Sequence, residues 1–224
     1  RKFINEQGVW AFRNWIREQI ATNRPYNEIV FELMTASGST LENPAANYYR
    51  IAREPREVME NMTQVFVGTR FVCAQCHDHP FEKWTQTQYY QLSAFFGGVG
   101  RKGGKKTEEE GGYDMRSPAQ VIHAGTGQPA AATFPFQIEG IDLNTDVPRI
   151  KLARWLTAKE NPYFAKSLAN RYWSYLNGKG IIDPVDDIRL SNPPTNPELL
   201  DALSNDFIAS GFDLKHLLRT IVSS

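Results

Sequence analysis

Apolar residues recur at helical spacing along most of this chain. Val9, Phe12, Ile16 and Ile20 form the first series, with Trp10 and Trp15 beside it. Asn23-Arg24-Pro25 ends that helix, and Pro25 suits the first turn of another. Its stripe is Ile29, Val30, Leu33 and Met34, with Gly38 as a plausible cap. Residues 38–47 read as loop, and Tyr48-Tyr49 begin a shorter segment. Pro55 opens a further helix whose apolar face is Val58, Met59, Met62, Val65 and Phe66, with Gly68 at its end. Thr85-Gln86-Thr87-Gln88 is a capping box, and the helix it starts runs to about Phe96, before Gly97-Gly98.

The pattern changes between residues 100 and 147. Arg101-Lys102-Gly103-Gly104-Lys105-Lys106 and Glu108-Glu109-Glu110-Gly111-Gly112 read as a mobile surface loop of charge blocks and glycines. Gln120-Val121-Ile122-His123 and Thr133-Phe134-Pro135-Phe136 flank the turn signal Gly125-Thr126-Gly127-Gln128-Pro129, which predicts a small β-hairpin. Helical periodicity then returns. Ile150, Leu152, Ala153 and Leu156 carry one helix. Phe164, Leu168, Tyr172 and Leu176 carry the next, after Asn161-Pro162 and up to Gly178. Asn196-Pro197 opens a helix with Leu200, Leu203, Phe207 and Ile208. Asp213 caps the last, with Leu214, Leu217, Leu218, Ile221 and Val222. The expected fold is therefore mostly α with a small β-hairpin insertion in the middle. Its expected organisation is a helical part over 1–99, a loop and hairpin insertion over 100–147, and a second helical part over 148–224.

Composition narrows the classes. The chain has 224 residues, of which 41% are apolar, enough for a real core. Lys+Arg and Asp+Glu balance at 25 each, so no global field favours nucleic acid or an anionic membrane. No apolar run is long enough to span a bilayer. Two cysteines are too few for a disulfide framework. No G-x-S-x-G, H-E-x-x-H or Walker loop is present.

Both cysteines and two of the four histidines fall within Phe71–Trp84. Cys73-Ala74-Gln75-Cys76-His77 is a C-x-x-C-H, the attachment sequence for c-type haem. The two thiols add across the vinyl groups of one haem edge, and the following imidazole, that of His77, reaches the iron from the same turn. Two other readings stand beside it. Cys73, Cys76, His77 and His79 are four N and S donors that suit a zinc or iron ion, although His77 and His79 are closer together than is usual in such sites. The cysteines could instead form a disulfide.

The surrounding residues resemble a known family. Phe66-Val67-Gly68-Thr69-Arg70, the C-x-x-C-H with Asp78-His79-Pro80-Phe81, Trp84-Thr85-Gln86, Tyr89-Tyr90 and Ala94-Phe95-Phe96 resemble the planctomycete cytochrome-c-like domain. Asn161-Pro162-Tyr163-Phe164-Ala165, Asn170-Arg171-Tyr172-Trp173, Asp183-Pro184-Val185-Asp186-Asp187 and Ser191-Asn192-Pro193-Pro194 are similar to the planctomycete-specific domain that follows it in large secreted proteins of unknown function. The resemblance implies a fragment of a longer extracytoplasmic protein of the periplasm or cell envelope. It also implies a c-type-cytochrome-like site and an unidentified redox partner or envelope protein. It supplies no substrate.

Further candidates are weaker. Met59, Met62 and His123 are possible second axial ligands. Asp183, Asp186 and Asp187 could bind a hard cation or simply make turn contacts and an Asp–Arg pair, and Asp186 or Asp187 could serve an envelope hydrolase. Arg171 suits a salt bridge or core cover, and His216 a structural role. Two main function classes compete: a redox module with haem on Cys73, Cys76 and His77, and a non-catalytic module whose Cys/His turn is a metal knuckle or a stapled corner.

Overall fold

A computed structural model describes residues 6–78, 83–104, 109–115 and 119–224. It is mostly α, as the periodicity requires. Nine α-helices and a three-stranded antiparallel sheet occur among the described residues.

Helix α1 (Glu6–Ala21) is present, but of its predicted stripe only Phe12 packs on the core, stacked on Trp15. Val9, Trp10, Ile16 and Ile20 are exposed, and Gly8, Trp15 and Gln19 are buried instead. Trp15 fixes the rotation, because its indole N–H donates to Glu32 Oε1 at 3.2 Å. Helix α2 (Tyr26–Thr35) buries the expected Ile29, Val30, Leu33 and Met34. A 3-10 turn (Pro44–Asn47) and the short α3 (Tyr48–Ile51) lead to α4 (Pro55–Met62). Helix α4 starts with a reciprocal capping box between Glu54 and Glu57.

After α4 the chain makes one π-helical turn, Thr63–Val67, ended by Gly68 in the left-handed region (φ 68°). The wider turn rotates the apolar face, so Phe66 stays buried while Val65 is turned partly outward. Met59 and Met62 are fully buried core residues. Helix α5 (Gln86–Ala94) carries the expected capping box of Thr85 and Gln88.

The sheet lies elsewhere than the sequence pattern suggests. Its strands are β1 (Gly38–Ser39), β2 (Val99–Gly103) and β3 (Glu110–Asp114), in the order β1-β3-β2. Gly112 pairs with both Gly38 and Arg101. Thus the described part of the segment read as a mobile loop is the hairpin. The segment read as a hairpin holds only an isolated bridge, Ile122 to Pro129. The reason is electrostatic. Glu110 and Asp114 lie on one face of β3, since strand side chains alternate. Glu110 pairs with Arg50 and Arg53, and Asp114 with Arg149. Arg149 is 3% exposed and also donates to the Ala36 carbonyl at 2.8 Å. Charge pairing with distant arginines thus anchors the strands, and apolar alternation plays little part. In the 120–136 segment, Phe134 and Phe136 instead pack individually on Trp155, with ring centroids 5.5 and 4.8 Å away.

Helix α6 (Pro148–Thr157) packs against α2, and α7 (Phe164–Asn177) against the π turn, α8 (Pro197–Ala209) and α9 (Leu214–Val222). The helices before and after the middle segment therefore share one core. No helix among the described residues is long and apolar enough to cross a membrane.

Candidate functional site

Val72–Gln75 forms a short 3-10 turn between the π turn and α5. At about three residues per turn, positions three apart eclipse one another. Phe71 and Ala74 are one such pair, and both are buried. Cys73 and Cys76 are another, and both are exposed free thiols. Phe71 rests on Trp84, with ring centroids 4.7 Å apart. The thiols thus stand on the outer face of a turn with a stiff aromatic backing.

Hydrogen bonds fix the turn to α5. The Gln75 carbonyl accepts from Gln86 Nε2 at 3.0 Å and from the Tyr90 hydroxyl at 3.1 Å. The Asp78 carboxylate accepts from the Gln86 backbone N–H at 2.8 Å, satisfying a free donor at the start of α5. His77 is exposed, and its Nδ1 lies 2.6 Å from the Asp78 carbonyl. A carbonyl only accepts, so Nδ1 carries the proton and the Nε2 lone pair is left for another partner. Metal-ligating histidines are oriented by this kind of outer bond. His79 lies outside the described residues. Among the described residues, no group of three or more His, Cys, Asp and Glu comes together to hold a metal ion.

His123 has a different place. It is buried against Tyr90, with ring centroids 4.8 Å apart. Its Nδ1 accepts from the Gly125 and Thr126 N–H groups at 3.1 and 3.3 Å, which leaves Nε2 to donate to Thr87 Oγ1 at 3.2 Å. Both ring nitrogens are engaged, so this is a turn-holding histidine.

The carboxylates at 183–187 separate. Asp186 Oδ1 accepts from Arg70 Nη2 at 2.5 Å, and Oδ2 from Gln64 Nε2 at 2.6 Å. Burial alone would raise the Asp186 carboxyl, but these hydrogen bonds outweigh it and hold the group below the usual aspartate range. Asp187 pairs with Arg189 at 3.2 Å. The Asp–Arg reading of this stretch therefore holds, with Arg70 as a partner that sequence spacing did not indicate. The Arg70 guanidinium is raised by its hydrogen bond to Asp186, against the lowering effect of its partial burial. Arg70 directly precedes Phe71 and the 3-10 turn at Val72–Gln75, so its pair with Asp186 ties the strap at 186–189 to the chain entering the cysteine turn. Arg171 donates to the Gln64 carbonyl at 3.1 Å. His216 Nε2 lies 2.7 Å from Asp206 and 3.5 Å from Thr220 Oγ1. Acid and hydroxyl crowd one ring nitrogen there, so the three form a tie between α8 and α9 and no proton relay.

Residues 2–101 match the family model PSCyt2, a protein of unknown function (DUF1549). Residues 148–224 match PSD1, also a protein of unknown function (DUF1553). Both are planctomycete-type domains, and neither description names a cofactor or an activity. No curated protein and no solved structure matches the chain. The cysteine turn lies in the segment that matches PSCyt2, and the strap that pairs with Arg70 in the segment that matches PSD1.

Proposed function

We propose that Cys73 and Cys76 attach a c-type haem covalently, that His77 is its proximal ligand, and that the protein is a redox module of the cell envelope. The observation that carries this is the His77 ring contact. Within an intact C-x-x-C-H, its Nδ1 is bonded to the Asp78 carbonyl, and its Nε2 has no partner among the described residues. The donor set suits the group: both thiols are exposed on one face of the turn, where each can reach a vinyl group. In attachment, each S–H adds across one vinyl C=C. A C–S bond forms and the thiol hydrogen goes to the other carbon, so no oxidant is consumed. Bound haem iron would supply one-electron chemistry toward an envelope redox partner. The chain's own part is to hold the thiols and imidazole on a turn fixed by Gln86, Tyr90 and the Phe71–Trp84 pair.

The test uses protein purified from its native envelope, because attachment needs maturation machinery that a cytoplasmic host lacks. After denaturation and extraction with acidic organic solvent, haem is expected to stay with the polypeptide. Loss of all haem into the solvent would remove the redox reading. It would leave a zinc or iron knuckle of Cys73, Cys76, His77 and His79, or a disulfide, as the role of the turn. About one metal ion per chain in elemental analysis, and a chelator-sensitive melting temperature, would identify the knuckle.

A further inference from the structure

A second site lies where the two family-matched segments meet. Lys83 from the PSCyt2 segment and residues of PSD1 line a cavity of about 240 Å³. Its charged lining residues are Lys83, Lys166 and Arg189, and no carboxylate among the described residues lines it. Three like charges around one cavity are unexpected in a chain whose 25 basic and 25 acidic residues balance. Two of them have carboxylates outside the lining: Lys166 pairs with Asp201 at 2.7 Å and Arg189 with Asp187 at 3.2 Å. Lys83 has no carboxylate partner among the described residues. Its ammonium lies 5.0 Å from the Trp84 ring and 5.9 Å from the Tyr163 ring, held by two aromatic faces.

The remaining walls are apolar. Tyr163, Ile182 and Ile188 form them, and Leu190 stands at the lining with 80% of its surface exposed. Apolar walls favour an apolar ligand body, while the unpaired Lys83 ammonium and the cationic lining favour a negative group at one end. The volume is below the roughly 300 Å³ at which pockets for drug-sized ligands begin. We infer that this cavity binds a small organic anion, a carboxylate on a compact aromatic or branched aliphatic body. The carboxylate meets the Lys83 ammonium, and the body covers Ile182, Ile188 and Tyr163. The site is separate from the thiols and does not depend on haem being attached.

Calorimetric titration of the 224-residue chain with benzoate, with neutral benzamide and with inorganic phosphate tests this. Benzoate is expected to bind about three- to fivefold more tightly than benzamide, the size of one favourable charge contact. It should also bind more tightly than phosphate, which leaves the apolar walls uncovered. Lys83→Gln should weaken benzoate about threefold or more and leave benzamide unchanged. Lys83 is exposed, so the variant should keep the parent melting temperature. Equal affinity for benzoate and benzamide, tighter binding of phosphate, no binding of benzoate, or no effect of Lys83→Gln would each overturn the inference. The titration needs no haem, so its failure would leave the haem proposal unaffected.

Discussion

His77 and Asp186 show how single hydrogen bonds set the chemistry of a residue. At His77 the Asp78 carbonyl accepts a hydrogen bond from Nδ1 and Nε2 has no partner among the described residues, whereas at His123 two backbone N–H groups occupy Nδ1. In the haem-bearing native protein, His77→Ala is expected to abolish the low-spin absorption spectrum. His79→Ala should leave it largely intact, and the reverse pattern would move the proximal role to His79. At Asp186 the prediction concerns stability. Its carboxyl is depressed by Arg70 and Gln64, so the folded state releases its proton more readily than the unfolded chain does. Its contribution is therefore complete above the unfolded value of about 4 and fades as pH falls below that. Asp186→Asn should cost about 1 kcal/mol at neutral pH, because Arg70 is partly solvated. Urea denaturation of both proteins at pH 7 and near pH 3 should show this difference shrinking in acid. A constant difference would assign the cost to packing.

At the scale of elements, the join between the π turn and the strap at 186–189 is the most constrained. Gly68 has φ 68°, and a Cβ there would lie 2.7 Å from Ile188 Cδ1 and 2.8 Å from Ser167 Oγ. Its carbonyl also accepts from the Ile188 N–H at 2.8 Å. Gly68→Ala combines a left-handed backbone, which costs about 1–2 kcal/mol for a residue with a Cβ, with displacement of Ile188. Its thermal midpoint should fall clearly, and an unchanged midpoint would show that the strap can shift at little cost. The caps of α5 and α9 were legible before the structure, because Thr85, Gln88 and Asp213 act within one turn of their partners. The position of the sheet was not. Glu110 and Asp114 answer to Arg50, Arg53 and Arg149, which lie 35–60 residues away in the chain.

For the whole molecule, the decisive contact is that of α6 with α2, which brings PSD1 residues onto the PSCyt2 segment. Leu152 on α6 is fully buried there. Leu152→Ala should remove about 2–5 kcal/mol through lost burial and a residual cavity. If the segments form one cooperative unit, far-UV circular dichroism and tryptophan fluorescence should both shift to the same lower midpoint. Separate transitions, with only one displaced, would show that the segments unfold independently.

The sequence by itself determined what depends on local chemistry: the helical periods, the caps and the C-x-x-C-H with its candidate ligands. Each needs only residues within a turn or two of one another. Even the turn's outward thiols follow from eclipsed positions once its 3-10 geometry is known. Tertiary structure decided which side of α1 is buried, because Trp15 and Glu32 must meet across two helices. It decided which residues form the hairpin, because their partners are distant arginines. It also brought Lys83 to Lys166 and Arg189, and Arg70 to Asp186. Such pairings rest on charge and shape across the fold, and spacing along a chain carries no record of them.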